Sequence, residues 1–138
     1  MEIIKLLELA EQMRDRSYCP YSGFAVGAAL LCADGSVFTG CNIENSAFGP
    51  TICAERTAIF KAVSEGHRDL IGIAIMGGPQ GVPSSDFCAP CGVCRQVMAE
   101  FCDPDVFRIY LADGKGNQKE YPLRMLLPEG FSGLKKEA

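Results

Sequence analysis

Apolar residues near the start of the chain fall at Ile3, Leu6, Leu7, Ala10 and Met13. That spacing buries one face of a helix, which is predicted over residues 2–16. The segment Tyr18-Cys19-Pro20-Tyr21-Ser22-Gly23 interrupts the rhythm and reads as a loop. Residues 24–33 are small and apolar, with Val26, Ala28 and Leu30 in alternation, so a strand follows. Asp34-Gly35 is a hairpin turn, and the returning strand covers 37–41. After a loop through Pro50, a second helix is predicted over 53–65, with Gly66 as its C-cap. The unbroken apolar run at 70–76 suits a central strand covered on both faces. Residues 77–87 are rich in Gly, Pro and Ser and are expected to form a loop. A third helix starts at the Pro90-Cys91 turn and reaches Phe101. A strand at 106–112, a turn at 113–117, a short strand at 118–122 and a brief helix at 123–127 complete the pattern, ahead of a tail containing Phe131.

The order helix, hairpin, helix, strand, helix, strand, strand predicts an α/β fold: a mixed sheet with helices on both faces. No repeat, low-complexity stretch or linker divides the chain, so residues 1–138 are expected to form one domain. A chain of 138 residues that is 48% hydrophobic and 22% charged can build one sizeable core. No apolar run approaches the roughly 20 residues that cross a bilayer, and no export signal is visible at the N-terminus. The net charge of −4, with no basic run longer than Lys135-Lys136, argues against a nucleic-acid partner.

Eight cysteines in a chain without an export signal point to metal ligation and buried thiols rather than disulfides, and a cytoplasmic location is expected. Cys19, Cys32, Cys41, Cys88 and Cys102 sit mostly among apolar neighbours, where cysteine acts as a small hydrophobe. The other three stand in Cys53-Ala54-Glu55 and Pro90-Cys91-Gly92-Val93-Cys94. Three thiolates suit zinc and leave one tetrahedral position for water. A carboxylate beside that water, Glu55, can move protons on and off it. Mid-helix, two residues apart means about 200° of rotation, so Cys53 and Glu55 would diverge. At a helix start, side chains lean past the tip and can converge. Cys91 and Cys94, three apart, share a face in the next helix's first turn. Two positive helix ends then favour thiolate over thiol. Three thiolates around a divalent ion leave surplus negative charge; Arg56 is the candidate to offset it by donating to sulfur, with Arg95 as its rival.

These two motifs match the zinc deaminase signature in its three-cysteine form. With Phe24-Ala25-Val26-Gly27-Ala28-Ala29-Leu30, Asn42-Ile43-Glu44-Asn45, Cys53 to Ala58 and Pro90 to Gln96, the chain closely resembles the cytidine deaminase family of the small, homotetrameric type, from about Tyr21 to Phe131. The resemblance implies a three-layer α/β/α fold with a five-stranded mixed sheet. It implies one zinc ion per chain on Cys53, Cys91 and Cys94, with Glu55 as the catalytic proton shuttle. It implies substrate contacts from Phe24 to the base or sugar, Asn42 and Glu44 to the ribose hydroxyls, the Ala54 amide to the pyrimidine carbonyl and the Ala89 carbonyl to the leaving ammonia. Phe131 would come from a neighbouring subunit to cover the base. Phe48 stands where similar members often carry tyrosine, so a hydroxyl contact across the subunit boundary would be missing.

The activity implied is hydrolytic deamination of cytidine and deoxycytidine to the uridine products plus ammonia, in pyrimidine salvage. Free nucleosides are favoured over nucleotides, because no basic clamp for a phosphate is visible. The alternatives are deamination of a nucleoside antibiotic such as blasticidin S, or a zinc-stabilised binding module without turnover. Cys88 offers a fourth thiol that would close the metal site. His67, after the C-cap, is expected to be exposed and to have no metal role.

Overall fold

The amphipathic pattern at the N-terminus folds as α1 (Ile3–Met13), which buries Leu6, Leu7 and Ala10 and continues into a 3-10 turn over Arg14–Arg16. The computed structural model describes residues 1–132; Lys135-Lys136 and the end of the expected 1–138 domain lie outside the described residues. Strands β1 (Phe24–Cys32) and β2 (Val37–Cys41) form an antiparallel hairpin in the register Gly27↔Cys41 to Leu31↔Val37. Then follow α2 (Ala54–Ser64), β3 (Leu70–Pro79), α3 (Gly92–Glu100), β4 (Arg108–Ala112), β5 (Gln118–Pro122) and α4 (Leu123–Leu126). The sheet order is β2-β1-β3-β4-β5, with only the β3–β4 pair parallel.

Two clusters of buried residues lie on opposite faces of this sheet, giving the three-layer α/β/α architecture. Leu6, Leu7 and Ala10 of α1 meet Ala29, Ala74 and Met76. On the other face Ala28, Leu30, Ile73, Ile75 and Ile109 meet Ala58 and Ile59 of α2, Met98 of α3, and Phe107. Alternation along β1 and β3 sends successive side chains to the two clusters. Each fully buried aliphatic or aromatic side chain there contributes about 1.5–3 kcal/mol.

Two glycines set how closely the helices approach. A Cβ on Gly27 would lie 1.9 Å from the Ala10 carbonyl oxygen, so α1 rests directly on the backbone of β1. A Cβ on Gly40 would lie 2.5 Å from the Ala54 carbonyl oxygen and 2.6 Å from the Ala58 nitrogen, so the first turn of α2 rests on β2. Gly66, at φ +93, closes α2 as expected: its amide bonds to Val63 O, and that of His67 to Ala62 O.

The structure corrects several sequence-based boundaries. Strand β3 runs on through Gly77, Gly78 and Pro79, which were expected to begin a loop. They pair with Val26, Ala25 and Phe24, and this ladder overrides the weak strand preference of glycine. Arg14, buried at the end of α1, secures that extension by donating to the carbonyls of Ala25, Pro79 and Val82. Strand β4 starts at Arg108 rather than 106, because the amides of Val106 and Phe107 close a turn on Asp103 O. His67 is half-buried rather than exposed: it lies 3.3 Å from Asp34 and tilts against the Phe38 ring. No helix among the described residues is long and apolar enough to cross a membrane.

Candidate metal centre and active site

Strands β2 and β3 both run antiparallel to β1, so they end at the same edge of the sheet, where β1 begins. The connections leaving them lead to the starts of α2 and α3. Two helix N-termini therefore meet at one end of the sheet, beside Phe24. The amides there have no intrahelical acceptor and carry the positive end of each dipole.

Cys53 is the N-cap of α2 and Cys91 the N-cap of α3; neither side chain caps its helix, and Cys53 is half-buried while Cys91 is exposed. The Cys53 and Cys91 sulfurs are 3.7 Å apart, those of Cys91 and Cys94 are 3.5 Å apart, and all three lie within 4.8 Å of one another. A zinc ion bonded to sulfur at about 2.3 Å would set tetrahedral S–S edges of about 3.8 Å, so the spacing fits this metal. Among the described residues, this is the group that could hold a metal ion, and Cys88 is outside it. The Cys88 sulfur instead packs over Gly77, whose Cβ would lie 2.7 Å from it, and burial raises its pKa to about 11. The donor set therefore supplies three thiols, which fit three corners of a tetrahedral zinc site.

Hydrogen bonds from Cys94, Arg56 and Cys91 hold Cys53 far below the ordinary thiol range, while Cys94, sharing that charge, is pushed up. Arg56 Nη2 donates to the Cys53 sulfur at 3.4 Å. Its Nε is buried with no acceptor among the described residues, so the guanidinium faces the sulfurs rather than a carboxylate. Arg95 points elsewhere, donating to the carbonyls of Pro90 and Leu126. Glu55, in the first turn of α2, is only 4% exposed, and burial lifts its carboxyl to about 7. A carboxyl poised there can both take and give a proton near neutral pH.

Segment 42–44 is pinned beside this centre. Ile43 exchanges two backbone hydrogen bonds with Ile52, the neighbour of Cys53, and Tyr18 bridges its other side. Asn42 is buried; its amide donates to Phe24 O at 2.8 Å and accepts from Val26 N at 2.9 Å. Glu44 accepts from the amides of Tyr21 and Ser22 at 3.0 and 3.1 Å and from the Ser22 hydroxyl. The Ser22 hydroxyl is the main cause of a lowered Glu44 pKa. Ala54 is the first residue of α2, which leaves its amide among the unpaired helix-start donors. Ala89 is exposed just before the buried Pro90.

The Phe24 side chain is 41% exposed, Phe131 63% and Phe48 90%. Phe131 lies along α3, where the Gln96 side chain clamps both its backbone N–H and C=O. Sequence reasoning missed Ser22 and Gln96. Ser22 carried one local signal, a hydroxyl two residues before Phe24 able to accept its amide; Gln96 stood at the end of the Pro90-to-Gln96 motif, but nothing in the sequence pointed to Phe131 as its partner.

Residues 1–109 match the family described as the cytidine and deoxycytidylate deaminase zinc-binding region. The chain is 48% identical over 132 residues to the cytidine deaminase of Sporosarcina psychrophila, covering 96% of this chain and 93% of that one. It is 50% identical over 128 residues to the cytidine deaminase of Halalkalibacterium halodurans, covering 92% of each. The crystal structure of cytidine deaminase from Burkholderia pseudomallei superimposes with a TM-score of 0.85 at 42% identity, covering 95% of this chain and all of that one.

Proposed function

The chain belongs to the cytidine and deoxycytidylate deaminase family, and from that premise we infer that it is a hydrolase that deaminates cytidine with zinc as cofactor. The observation that carries this reading is the three-thiol cluster at two helix tips with a buried carboxyl beside it. Deoxycytidine is proposed as a second substrate, and pyrimidine salvage as the physiological setting.

Cys53, Cys91 and Cys94 would hold the ion. Zinc, when bound, polarises a water molecule for attack on the ring carbon that bears the amine. Glu55 would take a proton from the attacking water and give it to the adjacent ring nitrogen. It would then carry the second proton to the exocyclic nitrogen, so that the carbon–nitrogen bond breaks and ammonia leaves. The Ala54 amide would hold the pyrimidine carbonyl, and the Ala89 carbonyl would face the departing ammonia. Phe24 would pack on the base or sugar, with Asn42 and Glu44 on the sugar hydroxyls.

Phe131 would cover the base in the site of a second copy, within a homotetramer. The exposure of the Phe131 ring, 63% open to solvent, supports this reading, because a ring held on the surface is available to a second copy. The acidic net charge favours free nucleosides, and a cytoplasmic setting suits the buried thiols of Cys19, Cys32 and Cys41. Residues 1–138 are read as a single domain.

Glu55→Gln tests the assignment. Zinc content by metal analysis and the melting temperature stay at wild-type levels, while ammonia release from cytidine falls by at least about 100-fold. A wild-type protein that holds zinc yet releases no ammonia from cytidine would overturn it.

A further inference from the structure

We propose that Ser22 is a positioning residue for sugar recognition, setting the Glu44 carboxylate and the Phe24 backbone with one hydroxyl. The proposal rests on the reading that Asn42 and Glu44 grip the sugar. It adds the group that makes their arrangement a single unit.

A serine hydroxyl has one hydrogen to give and two lone pairs to receive. Ser22 gives its hydrogen to Glu44 Oε2 and accepts the Phe24 amide at 3.0 Å. The other end of the same residue, Phe24 O, accepts from Asn42 Nδ2. Glu44, Ser22, Phe24 and Asn42 thus form one continuous chain of hydrogen bonds through the residues assigned to base and sugar. Nothing else among the described contacts joins Glu44 to Asn42 through side chains.

Lone-pair capacity makes this specific. An ionised carboxylate offers about four acceptor positions. The amides of Tyr21 and Ser22 occupy both on Oε1, and the Ser22 hydroxyl occupies one on Oε2. One acceptor position on Oε2 is left, with its direction set by Ser22. Asn42 retains one amide hydrogen beyond the bond to Phe24 O. In the proposed grip a sugar hydroxyl donates to that oxygen, and the Asn42 amide hydrogen is available to a sugar oxygen. The ligand class is therefore a nucleoside whose sugar presents a free hydroxyl at this point.

The test compares wild type, Ser22→Ala, Ser22→Thr and Glu44→Gln on cytidine and on 2′,3′-dideoxycytidine, which lacks the gripped hydroxyls. Ser22→Ala should raise KM for cytidine about tenfold, the scale of one misdirected hydrogen bond to a charged group. Its kcat should stay within about twofold, because the interaction is made equally in ground and transition states. Dideoxycytidine kinetics should not move, and Ser22→Thr should restore the cytidine KM. Ser22→Cys, a weaker donor, gives the same readout if Ser22→Ala does not fold. If Glu44→Gln raises the cytidine KM and Ser22→Ala leaves it unchanged, Ser22 has no positioning role and the sugar reading survives. If Glu44→Gln leaves it unchanged, the sugar reading fails and takes the proposal with it. Equal losses on both substrates would show a merely structural turn and would also overturn it.

Discussion

At the scale of single residues, Arg56 carries the sharpest expectation. Its guanidinium reaches the Cys53 sulfur, and its buried Nε has no hydrogen-bond acceptor among the described residues. Truncation to alanine should weaken zinc binding by about 10–100-fold, the usual range for a group that orients a metal ligand. Competition against a chromophoric chelator measures it. Arg95→Ala, whose contacts are the Pro90 and Leu126 carbonyls, should have a smaller effect on the metal. Unchanged affinity in Arg56→Ala would reassign the charge balance. The three-thiol group was legible in the chain because its chemistry depends on residue type and short spacing. The bond from Arg56 to sulfur was foreseeable for the same reason, since residues three apart at a helix start lie on one side. Ser22 was not, because its partner is 22 residues away and only folding brings the two together.

At the scale of elements, the two close-packed glycines separate stability from metal binding. Gly40→Ala would push the first turn of α2 off β2 and move Cys53 and Glu55 relative to Cys91. It should lower both stability, by about 1–3 kcal/mol or more, and zinc affinity. Gly27→Ala would displace α1 on the opposite face, so stability should fall with little change in zinc affinity. Denaturant melts with and without a chelator distinguish the two. Loss of zinc affinity in Gly27→Ala, with none in Gly40→Ala, would contradict this division of labour. The elements themselves were mostly visible in the sequence, since period and capping residues are local properties. The errors fell at ends decided by pairing: Gly77 to Pro79 joined β3 because Phe24 to Val26 lay alongside, and Val106 was drawn into a turn by Asp103.

At the scale of the whole molecule, the proposed sharing of Phe131 between copies has a concentration signature. Specific activity should fall as the assembly is diluted to monomers, followed by sedimentation alongside ammonia release. Mixing Glu55→Gln chains with Phe131→Ala chains and reassembling them should regain part of the activity that each lacks alone. Full activity in verified monomers would refute the shared site. Gln96 bears on this, because it fixes the backbone of Phe131 while its ring stays open to solvent. The sequence by itself determined the ligand chemistry, the order of elements and the α/β class, all of which depend on residue identity and spacing along the chain. Only the tertiary structure decided that two helix tips meet within sulfur-to-sulfur reach, that Cys88 turns away to Gly77, and that Ser22 binds Glu44 to Phe24. Those are distances between segments far apart in sequence, set by sheet order and by how closely helices pack on glycine.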